Sequence, residues 1–453
     1  MKKHYTYEDL FDQERESFMK RVWIRRRWVF VFILFVFLLI HQFDIYFVGP
    51  MALQLFTGGS GTSIFTNPNN VYVIIVTLLF FLVWGYNFDR HSRKKLLAGA
   101  GFLWWVTTWM MTIAPTFGTF IISYAAGGVD HASYSGIFAL IGDYFEPKNR
   151  GKIFGFLLIT YPLAFLAGLF LSNSSHIDET WRTWLFIMGL FGLIFALLIT
   201  FFIHEPKRGT FEPAMADINM TGVYLFDWDV AKEEFKKPAL WLIFCLSFLS
   251  IIPWGVLTNR VFPYFRDVQG LPEAAVYLAL LPGLFGVVLG FPLAGLLGDV
   301  WFTYRRRGRV FASLVGTLLA CVFLFVAFES LDITSYVFII PMALVGLFLP
   351  FLLPNLAASL MDITLPELRG TAFGIMILVQ SVGMLVHPIV VNSLQRWIGL
   401  DRAILWVCIG VWFIAAGLQL VLLKILPGEM EALRRHMAYR SHLEARIAKL
   451  KLP

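Results

Sequence analysis

The sequence predicts an all-α membrane protein, with twelve transmembrane helices arranged as two pseudo-symmetric six-helix bundles. Three observations carry that prediction. The 453-residue chain is 58% apolar and only 15% charged, against about 45–50% and about 25% in an ordinary soluble protein. Its apolar residues gather into twelve runs long enough to cross a bilayer. Two motifs then recur in the second half of the chain, at offsets of 210 and 219 residues. The composition excludes disorder, a collagen repeat and a disulfide scaffold. Cys245, Cys321 and Cys408 fall in separate apolar runs, so they form neither a disulfide framework nor a zinc ligand set.

A spanning helix needs about 20 mostly apolar residues. Such runs occupy 28–55, 70–88, 95–115, 117–142, 152–172 and 182–204, then 238–263, 274–298, 309–328, 334–361, 370–394 and 402–426. The first follows eight Lys/Arg residues and is too long and too far into the chain for a cleaved signal. These runs divide the chain into a basic tail 1–27, a first bundle 28–204, a linker 205–237, a second bundle 238–426 and a tail 427–453. In the last tail Met430, Leu433, Met437, Leu443 and Ile447 alternate with Arg and Glu as an interfacial amphipathic helix would, and residues 19–27 read as a shorter one.

Orientation follows from the cations. Of 37 Lys and Arg residues, 32 fall in the tails and loops on one side. Only Arg182, Arg260, Arg266, Arg396 and Arg402 fall on the other. Positive loops stay in the cytoplasm, so both termini are expected there, with the plasma (inner) membrane as the site. The basic runs all flank spans and attract anionic headgroups. Membrane lipids are therefore expected partners and nucleic acid is not.

The repeat gives the chain its two halves. Gly85-x3-Asp89 after span two recurs as Gly295-x3-Asp299 after span eight. Asp143-x3-Pro147-x2-Arg150-Gly151-x2-Phe154-Gly155 after span four recurs as Asp362-x3-Pro366-x2-Arg369-Gly370-x2-Phe373-Gly374 after span ten. Asp at a helix end pairs readily with Arg at the start of the next turn, and Gly allows close helix approach. Gly85, Asp89, Arg90, Arg93, Asp143, Arg150, Asp299, Arg305, Asp362 and Arg369 are accordingly expected to latch the halves on the inner face.

Twelve spans in parallel halves, with Gly85-x3-Asp89-Arg90-x2-Arg93-Lys94 after span two, resemble the major facilitator superfamily. The first half is similar to Spinster-type transporters of lysolipids and sphingoid phosphates. The matching residues are Asp44, Ala132-Ser133-Tyr134-Ser135, Asp143, Pro162, Gly168 and Pro206-Lys207-Arg208-Gly209. The chain departs from the Spinster pattern at His131, where the family has Glu, and at Tyr124, where it has Arg. The resemblance implies secondary transport by alternating access, with spans one and four lining a central cavity.

Ionisable groups within the bilayer are costly and functional by default. Here they are His41, Asp44, Asp130, His131 and His387. Asp44 and Asp130 fall at similar depths by helical rise, about 24 Å and about 20 Å from opposite faces. Asp44 with Asp130 and His131 is the expected proton-coupling group. His41, Tyr124, His387 and Asn355 are further cavity candidates. Neither a phosphate-binding Gly-x4-Gly-Lys loop nor a metalloprotease or serine-hydrolase motif is present. No enzyme, cofactor or metal is therefore expected, and the protein is expected to work as a monomer. The expected cargo is an amphiphilic or organic solute, with a lysolipid as one case. A small polar organic acid or sugar derivative, and a non-transporting receptor on the same fold, stay open as alternatives.

Overall fold

A computed structural model describes residues 27–45, 70–172, 177–213, 225–330, 332 and 335–450, and every regular element among them is helical. The first half holds α1 (Arg27–Phe43), α2 (Asn70–Arg90), α3 (Arg93–Thr112), α4 (Phe117–His131), α5 (Tyr134–Tyr144), α6 (Arg150–Leu158), α7 (Thr160–Ser172) and α8 (Ile177–Phe202). A short α9 (Trp228–Glu234) stands in the linker. The second half holds α10 (Pro238–Pro263), α11 (Glu273–Tyr304), α12 (Gly308–Ser330), α13 (Tyr336–Phe348), α14 (Leu352–Ile363), α15 (Arg369–Ile398) and α16 (Leu400–Leu450). Eight stretches among the described residues, from 147–168 onward, are long and apolar enough to cross a membrane. These coincide with predicted spans five to twelve. The described parts of predicted spans one to four are helical except for 113–115 at the end of span three and a break in span four. The chain is an integral membrane protein. Large apolar side chains such as Phe201, Leu278, Leu289 and Phe413 stand exposed on its outside, where lipid rather than water makes them stable.

Among the described residues, three predicted spans are broken helices. Span four divides between α4 and α5 at Ala132–Ser133, beside Asp130 and His131. Span five divides at Ile159, between α6 and α7. Span ten divides at a 3-10 turn, Leu349–Phe351, where Pro350 and Pro354 supply no backbone N–H. Irregular backbone at membrane depth is tolerated where protein or a cavity covers it. Continuous apolar runs hide such breaks in the sequence.

The two halves meet along two helix pairs related by the repeat, α2 against α15 and α6 against α11. Glycine makes both contacts possible. A Cβ on Gly85 would lie 2.7 Å from the Gly370 carbonyl oxygen, and Gly295 abuts the Gly151 carbonyl in the equivalent place. The largest buried apolar cluster runs across this seam, from Phe37 and Phe138 through Phe154 to Phe291 and Phe373.

The expected tail 427–453 is not a separate element over its described part. Helix α16 continues through Pro427 to Leu450. Met430, Leu433 and Met437 are buried, and the latter two pack with Ala231, Leu365 and Leu368. Arg440 also reaches Glu367 at 2.6 Å. The first part of the tail's apolar face thus docks on protein, while Leu443 farther along stands exposed. The expected helix at 19–27 and the end of span one, 46–55, lie almost wholly outside the described residues.

Candidate functional site

A central cavity of about 240 Å³ lies between the halves, lined from α1 to α5 on one side and from α10 and α15 on the other. Helix α1 and the turn that continues it deliver His41, Gln42 and Asp44 within four residues. The Asp44 carboxylate accepts a hydrogen bond from Trp104 Nε1 at 2.7 Å, while its Oδ1 is buried and has no hydrogen-bond partner. Asp130 lies at the end of α4, and its Oδ2 is 2.7 Å from His41 Nε2. The other ring nitrogen of His41 meets the Tyr134 hydroxyl, which also accepts from Gln42 Nε2 at 2.9 Å. The ring centroids of His131 and His41 are 5.1 Å apart. Tyr124, Asp130 and His131 line the cavity together with Asp44. Asp130 and Tyr134 flank the break between α4 and α5, and both reach His41 of α1 from the same span.

Three expected cavity residues do not line the cavity: His41 is fully buried against Asp130 and Tyr134, and two others stand elsewhere. His387 does not line the cavity. Its Nδ1 is 2.6 Å from the Met384 carbonyl on its own helix, and its ring packs over Gly255 of α10. Asn355 donates to the Ala294 and Phe351 carbonyls at 3.1 and 2.9 Å and so tethers α14 to α11. Spacing alone missed Trp104 as the Asp44 donor, because an indole in an apolar helix reads as packing.

The second constellation seals the face that carries the basic loops. Asp89 accepts from the backbone N–H groups of Gly370 and Thr371 at 2.8 and 2.6 Å, at the N-terminus of α15. Asp299 accepts from Gly151 and Lys152 at 3.1 and 2.8 Å, at the N-terminus of α6. Each half thus offers an aspartate to the positive end of a helix in the other. Arg93 pairs with Asp143 and donates to the Pro366 carbonyl at 2.8 Å. Arg309 pairs with Asp299 at 2.5 Å and with Asp362, and donates to the Pro147 carbonyl. These two sets are images of one another under the repeat.

Arg90 and Arg305 are not part of this cluster. Both are exposed, and Arg90 bends back to its own Tyr86. Arg93 and Arg309 occupy the central positions instead. Arg309 lies 216 residues after Arg93, so aligning the repeat with one gap would have found it. Glu212 of the linker gave no signal, having no counterpart in the other half. It is nevertheless buried at the midline, 2.5 Å from Arg150 and hydrogen-bonded to Arg369. Arg150 also reaches Asp362 at 3.3 Å, and Arg369 lies 3.8 Å from Asp143. Burial alone would raise the Glu212 carboxyl, but the Arg150 and Arg369 guanidiniums hold it down at about 2.

Residues 34–388 match the family model described as Major Facilitator Superfamily. Among curated proteins the chain is 25% identical over 333 residues to human protein spinster homolog 3, which covers 67% of this chain and 62% of that one. It is 26% identical over 274 residues to a sphingosine-1-phosphate transporter of Xenopus tropicalis, covering 56% and 52%. The match to Drosophila melanogaster protein spinster is 31% identical over 135 residues, covering 29% and 22%. The matches thus cover less than two thirds of these relatives. Among solved structures, the human organic anion transporter MFSD10 superposes with a TM-score of 0.65 at 14% identity, over 87% of this chain and 99% of that one. A bacterial homologue of the iron transporter ferroportin, outward-facing, superposes at 0.64 and 14% identity, over 86% and 98%. Both likenesses concern the fold.

Proposed function

Because the chain belongs to the major facilitator superfamily, we propose that it is a secondary transporter that carries an amphiphilic organic solute by alternating access, coupled to protons. The observation that carries this reading is the contrast between the two constellations. A mainly apolar cavity with a few ionisable groups in its wall sits between the halves, and the seam below it on the basic face is closed by a buried, repeat-related ion network. Such a seam is a bistable element. With its contacts formed, the cavity is shut off from the basic face, and with them broken the halves can rock apart there.

Cargo chemistry follows from the cavity walls. A second cavity of about 500 Å³ adjoins the first at Trp254, lined mainly by apolar side chains such as Phe165, Leu257, Leu281, Val287 and Met342, with Thr258 and Asn259 among its few polar groups. The first chamber offers carboxylate, imidazole and amide groups and the second offers no ionisable carboxylate or imidazole, which suits a headgroup and an acyl chain. A lysolipid or sphingoid compound meets that description, and the sphingosine-1-phosphate transporter among the relatives is in keeping with it. Asp44 is the proposed proton carrier. Asp44 lines the cavity, one of its oxygens holds Trp104 while the other has no hydrogen-bond partner, and Tyr124 and Asp130 line the same space. We place both termini in the cytoplasm and the protein in the plasma membrane, on the 32-to-5 division of its cations.

The test is uptake into proteoliposomes of a panel of lysolipids, sphingoid bases, sugars and organic acids, with and without an imposed pH gradient. The reading expects accumulation of an amphiphile that collapses when the gradient is dissipated. Asp44→Asn should retain downhill exchange and lose accumulation. Gradient-driven accumulation by Asp44→Asn equal to that of the wild type would refute the coupling assignment.

A further inference from the structure

Three groups from two distant parts of the sequence meet beside the cavity. His41 lies 89 residues before Asp130, which is why no metal-ligand spacing appears in the chain. In the fold, one ligand atom from each of His41, Asp130 and His131 falls within a sphere where all lie within 4.8 Å of one another. We propose that these three side chains bind an exchangeable divalent transition-metal ion, with Zn2+ as the reference case.

Three features of the cluster point to a ligand rather than to a finished hydrogen-bond network. First, Asp130 is buried, yet its Oδ1 accepts no hydrogen bond; a buried carboxylate oxygen left bare is costly. Second, His41 is held as metal ligands are held. Its Nδ1 meets the Tyr134 hydroxyl, Gln42 donates to that hydroxyl at 2.9 Å, and Nε2 is thereby aimed at Asp130. An outer partner of this kind fixes the ring and sets which nitrogen is free. Third, His131 is partly exposed and, like Asp130, lines the cavity, so one side of the cluster is open to an entering ion and to water as a further ligand. The donor set selects the ion. Two imidazole nitrogens and one carboxylate suit Zn2+, Fe2+ or Co2+, whereas Ca2+ and Mg2+ take oxygen ligands.

Binding requires a small, balanced change. Zinc ligands at about 2.0–2.2 Å stand about 3.3 Å apart around a tetrahedral ion. The 2.7 Å contact between His41 and Asp130 therefore opens slightly, and His131 moves in. The ion takes the Nε2 lone pair. The remaining ring proton sits on Nδ1 and is donated to the Tyr134 oxygen, and any proton displaced leaves to water. Asp44 on the same cavity adds a second carboxyl, which attracts cations when it is ionised.

The inference concerns binding, so it stands or falls apart from transport. The full-length protein, stripped with a chelator in detergent and free of any affinity tag, is titrated with Co2+ and followed by visible absorption. The proposal expects one Co2+ per chain, with the bands of a four- or five-coordinate nitrogen–oxygen site, bleached by one equivalent of Zn2+. His131→Ala and Asp130→Asn should each weaken binding at least tenfold, and Tyr134→Phe about tenfold through the ring it orients. His442→Ala, in an exposed part of α16, should leave binding unchanged. Absence of bands in the wild type, or bands of equal affinity in His131→Ala and Asp130→Asn, overturns it. Should Asp130→Asn fail to give monodisperse protein, His131→Ala decides alone.

Discussion

Glu212 shows how much a single side chain can carry outside any motif. It is the sole acceptor among the described residues that binds both Arg150 and Arg369, the repeat-related arginines of the two halves. Its carboxyl stands at about 2, against 4.5 for an ordinary glutamate, because burial, which would raise it, is outweighed by the two guanidiniums. A depressed folded-state value means stability that is fully present above about pH 4.5 and drains away as pH falls toward 2. Glu212→Gln removes the carboxylate shared by two buried guanidiniums, leaving them only Asp362 and Asp143 as acidic partners, and a broken buried pair costs about 3–5 kcal/mol. Thermal unfolding should show that deficit at pH 7, narrowing as the buffer approaches pH 3. A deficit of equal size at both pH values would mean that the charge of Glu212 does not stabilise the fold. Asp44, Asp130 and His131 were legible in the sequence because charge inside a bilayer is rare. Glu212 was not, because it sits in a polar linker where acids are common.

Elements were legible to the degree that their physics is local. Apolar run length located helix for every predicted span, and the repeat identified the contacts between halves. The breaks at Ala132–Ser133 and Ile159 were not legible, since a broken and an unbroken span have the same apolar length. Nor was the continuation of α16, because docking on α9 and the loop before α15 is a tertiary event. Two predictions belong to this scale. Gly85→Ala and Gly295→Ala each push a Cβ into a backbone carbonyl of the opposite half. The overlap should cost about 1–3 kcal/mol and part the seam on the basic face. Cysteines placed along α2 should then react faster with a water-soluble maleimide, whereas unchanged labelling would mean the seam is not tight. Leu433→Ala empties a buried contact between α16 and the 365–368 loop. It should lower stability by about 2 kcal/mol, read as a drop in melting temperature, and a melting temperature equal to wild type would mean the tail is not docked.

At the scale of the whole molecule, the fold places one half's aspartate at the other half's helix N-terminus twice over, through Asp89 on α15 and Asp299 on α6. Each contributes two charge-assisted hydrogen bonds, worth about 1.5–3 kcal/mol apiece. About 5.5 kcal/mol suffices to invert a 99:1 equilibrium. Losing both locks should therefore move the molecule from a state closed at the basic face to one open there, while losing one leaves a mixture. Sequence placed these aspartates in matched motifs but paired each with an arginine of its own loop, Arg90 or Arg305. The exchange between halves is visible only once the halves are packed.

The central claim is that the two halves rock about the cavity and that these crossed locks hold the basic face shut. It is tested most directly by the distance between spin labels placed on the basic ends of α2 and α11 in lipid nanodiscs. For the wild type the account predicts a dominant short distance. The double variant Asp89→Asn with Asp299→Asn should show a longer one as its main population, and each single variant both. A distance distribution identical in the wild type and the double variant would contradict it.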